Sequence, residues 1–214
     1  MKRRIVLLGP PASGKGTQAE LIQKRFAIPA TSTGAILRRE AKHGTALGVA
    51  ANRIISKGGL APDDLILQVV AAWLNKIDSS FLFDGFPRTS GQAERFELLL
   101  DHRGTALELA ILLELSDAVI RERMSRRLTC SSCGKVISVG RHVRDLDDPC
   151  PNCEGKLEVR EDDTDLVLAR LMNEYREKTL PVTDFYHTRG ILACVDASRE
   201  AGLVFNDLSQ LITE

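Results

Sequence analysis

Residues 5–18 of the chain read IVLLGPPASGKGTQ, a short apolar run that leads into a glycine-rich loop and a lysine. The run is typical of a buried strand, and the loop is typical of a turn into a helix. The loop follows the phosphate-binding pattern G-x-x-x-x-G-K-[ST], except that Gly16 replaces the hydroxyl residue that usually helps to hold a metal ion. Gly9 permits a sharp turn, Gly14 lets backbone amides approach phosphate oxygens, and Lys15 adds a positive charge. A purely structural turn is the alternative, but this order of elements favours a nucleotide phosphate site.

The composition describes a folded protein without a strong electrostatic field. The chain has 214 residues, of which 43% are hydrophobic, and this is enough to bury a sizeable core. Lys+Arg and Asp+Glu both number 29, so no net charge draws the protein to nucleic acid or to an acidic membrane. The apolar run near the N-terminus is too short for a signal peptide, and no stretch approaches the roughly 20 apolar residues of a membrane span. We expect a cytoplasmic protein that binds neither nucleic acid nor membrane.

Apolar runs alternate with helical patterns along most of the chain. Besides the first run, we predict buried strands at 81–83, 109–113 and 191–195. We predict helices at 63–76, 91–100, 117–128 and 164–185. This alternation predicts a three-layer α/β/α sandwich around a parallel sheet of about five strands, with ligands bound beyond the carboxyl ends of the strands.

Residues 81–89, FLFDGFPRT, carry a second set of polar groups at a predicted strand end. Asp84 offers hard oxygen atoms that can hold magnesium-bound water, and Arg88 can bind a phosphate with its planar fork. Asp-Gly is also a common turn pair, so a capped turn is the alternative. Because residues 9–17 and 84–88 both follow predicted strands, we expect them to meet at one edge of the sheet.

Two segments depart from the alternation. Residues 33–60 are predicted to be helical throughout and to form a small insertion. Residues 130–159 are rich in Gly, Pro, Asp and Cys and have few large apolar side chains, so something other than a core must hold them together.

Four cysteines in this segment could hold it together by binding a metal ion. They form two C-x-x-C pairs separated by 16 residues: Cys130, Cys133, Cys150 and Cys153. This spacing indicates one tetrahedral ion, with zinc as the first choice; iron has the same ligands, and disulfides are the less favoured alternative. Four thiolates leave no open coordination position, so we predict a structural ion. Cys194, within an apolar run, is predicted to be an inert buried thiol.

The glycine after Lys15, the string DGFPRT at 84–89 and the string STGAILR at 32–38 together resemble the adenylate kinase branch of the nucleoside monophosphate kinases. The cysteine segment coincides with the lid of the long members, some of which carry a cysteine-based metal site there. Residues 175–186 resemble the family's Y-x-x-x-T-x-P stretch. The resemblance covers essentially the whole chain. It implies a core at 1–31, 62–127 and 162–214, a nucleotide-monophosphate-binding insertion at 32–61 and a lid at 128–161.

The resemblance also implies a reaction, the reversible Mg²⁺-dependent transfer ATP + AMP ⇌ 2 ADP, by direct in-line transfer within a closed site. In the family the magnesium ion is held largely through water, with help from the aspartate that matches Asp84, so Gly16 is no defect. Structural Zn²⁺ in the lid, a monomeric enzyme and a role in nucleotide homeostasis follow from the same resemblance. One departure is Ala35, where the family has aspartate, and we expect some loss of rate from it.

The resemblance assigns the site residues as follows. The expected ATP-binding residues are Gly14, Lys15, Gly16, Thr17, Arg123 and Arg127. The expected AMP-binding residues are Thr33, Arg38, Ala61, Gly85, Arg88, Gln92, Arg160 and Arg170. The expected catalytic cations are Lys15, Arg88, Arg127, Arg160 and Arg170. Among these, Thr33 and Gln92 contact the acceptor base in the family, and Arg170 matches only if one residue is deleted. Arg123 and Arg127 are four residues apart, so we predict that they share one helix face.

Three other functions remain open from the sequence. A kinase for another nucleoside monophosphate differs at the acceptor base, where Thr33 and Gln92 favour AMP. A zinc-ribbon protein that binds nucleic acid is disfavoured because residues 130–153 contain no aromatic side chain on which a base could stack. A regulatory protein that binds nucleotides without catalysing transfer is the third alternative, and Ala35 is the one residue that favours it.

Overall fold

The computed structural model describes residues 1–45, 48–49, 62–140, 142–159 and 165–214. Its strands are β1 (Arg4–Leu8), β2 (Ala30–Ser32), β3 (Phe81–Asp84), β4 (Leu109–Glu114), β5 (Arg127–Cys130), β6 (Val136–Ser138), β7 (Leu157–Glu158) and β8 (Leu192–Asp196). Within the described residues, five strands form a parallel sheet in the order β2-β3-β1-β4-β8. The predicted three-layer α/β fold and its strand number are confirmed.

Helices cover both faces of this sheet. They are α1 (Lys15–Phe26), α2 (Thr33–Lys42), α3 (Asp63–Leu74), α4 (Ser90–His102), α5 (Asp117–Ser125), α6 (Asp165–Glu174), α7 (Leu180–Thr188) and α8 (Ala201–Thr213). A π-helical turn at Tyr175–Thr179 joins α6 to α7. It lies just before Pro181, which has no backbone N–H and cannot continue the regular hydrogen-bond ladder. None of the described helices is long and apolar enough to cross a membrane.

The sheet is buried on both faces because its strands are apolar at successive positions. In β1, Val6 and Leu8 pack into one core and Ile5 and Leu7 into the other. The first core contains a cluster of aromatic rings, in which Phe83 meets Phe96 edge to face at 5.7 Å. These two cores fix the strand ends, where the polar motifs lie.

A second, smaller sheet carries the cysteines. Strand β5 pairs antiparallel with both β6 and β7. Among the described residues, its buried apolar cluster consists of Leu128, Ile137 and Leu157 together with Cys130 and Cys150. The expectation that this segment has little core of its own is confirmed.

Three local predictions were wrong. The helix predicted at 117–128 ends at Ser125, and Arg127 begins β5, so Arg123 and Arg127 do not share a helix face. Helix α2 ends at Lys42, followed by Gly44 with φ +65°, so the segment is not helical throughout. Cys194 is exposed, because β8 is an outer strand and successive side chains alternate between its faces.

Candidate active site

The glycine-rich loop at residues 9–14, which we call the phosphate loop, connects β1 to α1 and requires glycine at two positions. Gly9 has φ +144°, and a Cβ atom there would lie 2.7 Å from the Leu113 carbonyl oxygen and 2.9 Å from Ser13 Oγ. Gly14 has φ +86° and precedes the first turn of α1. The amides of the loop and the N-terminus of α1 therefore face the same region, as an anion site requires.

Lys15 folds back onto this loop. Its Nζ donates hydrogen bonds to the carbonyl oxygens of Gly9 at 2.9 Å and Pro10 at 2.7 Å, and to Ser13 Oγ at 3.2 Å. The ammonium is thus enclosed by the loop, although the residue as a whole is partly exposed. The hydrogen bonds hold a positive charge beside the amides of the loop.

Four charged groups interact at the carboxyl edge of the sheet. Burial lowers the pKa of Lys15 to about 8; Asp84 opposes this shift, and Arg88 and Arg127 add to it. Burial also raises the pKa of Asp84, against the attraction of Lys15 and Arg88. The predicted meeting of the two motifs is therefore present, and the three cations leave an excess of positive charge that suits phosphate oxygens.

Gly16 faces the same carboxylate. A Cβ atom at residue 16 would lie 3.4 Å from Asp84 Oδ2. Any side chain there would begin in contact with the carboxylate and occupy the space beside it. Glycine leaves that space to water or to a hydrated cation.

The turn after β3 is held by its own residues. Gly85 has φ +66°, Arg88 Nε donates to the Gly85 carbonyl at 3.0 Å, and Thr179 Oγ1 donates to the Arg88 carbonyl at 3.2 Å. The Arg88 backbone N–H donates to Gln92 Oε1 at 2.8 Å. The guanidinium of Arg88 is thereby anchored next to the phosphate loop.

Helix α2 begins beside Asp84. Ser32 lies opposite Asp84 in the sheet, and its Oγ accepts the Ala35 N–H at 3.1 Å as the helix cap. Thr33 is buried and Ala35 is exposed. The Arg38 side chain returns towards the first turn, since a Cβ atom at Gly34 would lie 3.3 Å from its Nη1.

The predicted arginines do not all lie in the same environment. Arg123 joins two loops: its Nη1 donates to the Ala12 carbonyl at 3.4 Å, and its Nη2 donates to the Ala197 carbonyl at 2.7 Å and the Ser198 carbonyl at 3.1 Å. Arg170 is exposed on α6, with its Nε 3.4 Å from Glu174 Oε1.

The remaining predicted contacts include Thr17, which is exposed in the first turn of α1. Two predicted site residues lie outside the described residues: Ala61 and Arg160.

One half-buried residue beside this site, Asp63, was missed from the sequence. Gln92 Nε2 donates to Asp63 Oδ1 at 2.5 Å, and Thr89 Oγ1 donates to Asp63 Oδ2 at 3.1 Å. Asp63 is the first residue of α3, and no local motif connects it with the turn that follows β3. Its role depends on how α3 packs beside α4, which spacing along the chain does not reveal.

The four cysteines of the small sheet converge on one point. Their sulfur atoms all lie within 4.8 Å of one another, with Cys130 and Cys153 at 3.5 Å and Cys133 and Cys150 at 3.8 Å. A disulfide would require about 2.05 Å. A tetrahedral zinc ion with bonds of about 2.3 Å sets its sulfurs about 3.8 Å apart. The donor set and its spacing fit a closed four-thiolate metal site and exclude the disulfide alternative.

Both C-x-x-C pairs adopt the same turn. Gly134 N–H donates to the Cys130 carbonyl at 2.9 Å, and Glu154 N–H donates to the Cys150 carbonyl at 2.8 Å. Backbone N–H groups, the largest contribution coming from Cys133, lower the pKa of Cys130 to about 6 and favour its thiolate. A Cβ atom at Gly155 would lie 3.0 Å from Cys130 Sγ, so the chain passes close to the sulfurs.

Comparison with known proteins agrees with this geometry. The sequence profile of the adenylate kinase family matches residues 7–191. The chain is 37% identical over 211 residues to an adenylate kinase of Clostridium botulinum strain Langeland, which covers 98% of each chain. It is 36% identical over 210 residues, or 97% of each chain, to an adenylate kinase of Clostridium tetani. A match of this length, on a fold whose strand ends gather cations around a phosphate loop, shows that the chain belongs to the adenylate kinase family and is a nucleoside monophosphate kinase.

Proposed function

We propose that the protein catalyses ATP + AMP ⇌ 2 ADP by direct, in-line transfer of a phosphoryl group within a closed site. The observation that carries this proposal is the interaction of Lys15, Arg88 and Arg127 with Asp84 at the carboxyl edge of the sheet. Phosphoryl transfer needs alignment and positive charge around the moving group rather than a protein nucleophile. This arrangement supplies such charge between the loops that would hold the two nucleotides.

The donor nucleotide would bind at the phosphate loop. Its phosphates would meet the amides of residues 14–17 and the ammonium of Lys15, which would exchange carbonyl partners for phosphate oxygens. Arg123 and Arg127 would complete the donor site; Arg123 already lies between the phosphate loop and the loop after β8. The electrostatic effect of Arg127 on Lys15 supports its place near the transferred group.

The acceptor nucleotide would bind between α2 and the turn after β3. We propose Arg38 and Arg88 for its phosphate and Thr33 and Gln92 for its adenine, with Gly85 and Ala61 beside it. Arg160 and Arg170 would reach the transferred phosphoryl group when the lid closes. The exposed position of Arg170 against Glu174 means that it would have to change partner for this role.

Magnesium would be held through water by Asp84. The buried carboxylate has a raised pKa, so the nearby cations do not fully offset its desolvation, and a divalent cation would supply the missing charge. Bound there, Mg²⁺ would neutralise phosphate charge as it does in related phosphoryl transfers. Gly16 leaves the adjoining space free of a side chain.

Zinc is our proposed ion for the cysteine site. The four thiolates would complete the coordination of the ion, so the ion would stabilise the folded lid and would take no part in the chemistry. We propose that residues 32–61 and 128–161 close over the nucleotides and exclude water, which would otherwise compete with AMP for the phosphoryl group. The activity requires one chain only, and we propose a monomeric cytoplasmic enzyme.

A coupled assay of ADP formation with AMP, UMP, CMP and GMP as acceptors tests the proposal. We expect turnover with AMP alone. Lys15→Ala should lower kcat/KM by about 10²–10³-fold, the scale seen when one charge-stabilising donor is removed. Lys24→Ala, which removes an exposed lysine from the other end of α1, is the matched control and should retain activity. Absence of transfer to every acceptor while ATP still binds would contradict the proposal.

A further inference from the structure

The side-chain amide of Gln92 is buried and forms hydrogen bonds with a carboxylate on one side and a backbone N–H on the other. Its Nε2 donates to Asp63 Oδ1 at 2.5 Å, and its Oε1 accepts the backbone N–H of Arg88 at 2.8 Å. A carboxylate only accepts and a backbone N–H only donates, so the orientation of the amide is determined. Rotating the amide by 180° would set its oxygen against the carboxylate and its NH₂ against the N–H of Arg88.

Asp63 is itself fixed. Its Oδ2 accepts from Thr89 Oγ1 at 3.1 Å, and Thr89 Oγ1 in turn accepts the Gln92 N–H at 3.0 Å as the cap of α4. Asp63 also occupies the first turn of α3, where the helix dipole favours a negative charge. The hydrogen bond from Thr89 therefore holds the carboxylate in place, and the carboxylate in turn fixes the orientation of the Gln92 amide.

The locked amide has one defined hydrogen-bonding pattern left. A glutamine amide has two N–H donors and two carbonyl lone pairs, and one of each is used by Asp63 and Arg88. The remaining donor and acceptor match adenine, whose N1 accepts and whose 6-amino group donates. A 6-oxopurine presents the reverse pattern, with an N1–H donor and an O6 acceptor, so each of its groups would meet one of the same kind.

We infer that Asp63 is a positioning residue that sets the choice of acceptor base. By holding the amide of Gln92 in one orientation, it favours 6-aminopurine monophosphates over 6-oxopurine monophosphates. This inference rests on the proposed function, in which Gln92 meets the acceptor base. Asp63 itself touches neither nucleotide.

The test compares AMP with IMP, which carries the 6-oxopurine edge and no other change. Isothermal titration gives both dissociation constants, and steady-state kinetics separate KM from kcat. Asp63→Asn keeps the shape of the side chain but can both donate and accept, so residue 63 no longer fixes the Gln92 amide, and only the Arg88 N–H still opposes its rotation. The matched control is Asp64→Asn, which removes the neighbouring charge from the same helix turn and breaks an exposed ion pair with Arg95.

We expect wild-type protein and Asp64→Asn to prefer AMP, and we expect Asp63→Asn to lower the AMP:IMP affinity ratio by about tenfold, the equivalent of one hydrogen bond. The change should appear in KM more than in kcat. The ratio is measured within each variant, so a partly unfolded preparation does not alter it. An unchanged ratio, or equal weakening of both nucleotides, would overturn the inference while leaving the kinase intact. Failure of the wild-type protein to bind AMP would overturn the proposed function together with the inference.

Discussion

The ammonium of Lys15 donates hydrogen bonds to carbonyl groups of its own loop, yet the proposed reaction requires it to bind phosphate. Its pKa is lowered to about 8 from the ordinary value of 10.5, chiefly by burial. Between these two values the unfolded chain binds more protons than the folded chain at this position. The contribution of Lys15 to folding stability therefore increases as the pH rises from 8 towards 10.5, while its ability to attract an anion declines.

This shift predicts a pH dependence of ATP binding. Above about pH 8 the free enzyme loses the Lys15 proton, and the dissociation constant for ATP should rise by up to about tenfold per pH unit. Lys15→Arg keeps its charge at every accessible pH and should show a flat profile over this range. Calorimetric titration from pH 7 to 9.5 measures both. Profiles that rise equally in wild type and Lys15→Arg would assign the effect to another group.

The positions of some site residues could be predicted from the sequence, and the positions of others could not. Lys15, Asp84 and Arg88 could be placed at one edge because each follows a recognisable apolar strand, and parallel strands end together. Asp63 could not be placed, since its partners come from a different helix. The exposure of Cys194 was missed because a run of apolar residues does not distinguish an inner strand from an outer one.

At the scale of single elements, the two cysteine turns differ at one position. The residue that follows each C-x-x-C pair has positive φ: Gly134 at +70° and Glu154 at +59°. Glycine adopts this conformation freely, whereas other residues incur strain of about 1–2 kcal/mol in it. The second turn therefore carries strain that the first does not.

Glu154→Gly should relieve this strain. We expect the metal-loaded lid to gain about 1 kcal/mol in stability, after allowance for the greater freedom of glycine in the unfolded chain. Measurement of metal release against a competing chelator would detect the gain as slower or weaker release. Glu154→Gln, which removes the charge and keeps the strained backbone, is the control. A gain of the same size in Glu154→Gln would show that charge, not backbone conformation, sets the effect.

Element boundaries were harder to predict than the elements themselves. The end of α5 at Ser125 was missed because the arginines that follow are compatible with a helix as well as with a strand. These residues form a strand because β5 pairs with β6 and β7. Strand β2 has three residues, too few to show a periodic pattern. Tertiary pairing overrides local propensity at both places.

At the scale of the whole molecule, the parallel sheet and the small cysteine-bearing sheet differ in how much apolar surface they bury. The parallel sheet is buried between two large apolar clusters, whereas the small sheet buries Leu128, Ile137 and Leu157 beside its cysteines. We therefore expect an ion bound by the four cysteines to supply much of the folding free energy of this segment. The small apolar cluster of this segment could be predicted from the sequence, because the lack of large apolar residues is visible in it.

Removal of the metal should therefore unfold the lid and leave the core folded. A chelator should release one ion per chain, remove a low-temperature calorimetric transition and preserve the transition of the parallel sheet. Phosphoryl transfer should fall, since we propose that residues 128–161 close over the nucleotides and exclude water. Cys194→Ser, outside the cluster, is the control and should bind metal as the wild type does. Loss of the whole fold on chelation would contradict this division.

The most direct test of the account follows the phosphorus atoms themselves. Phosphorus NMR of the enzyme with ATP, AMP and Mg²⁺ distinguishes transfer to AMP from transfer to water. We expect the ADP signals to grow by two molecules for each ATP consumed, until equilibrium, without release of inorganic phosphate. Growth of inorganic phosphate in step with ATP loss, or unchanged spectra with both nucleotides bound, would contradict it.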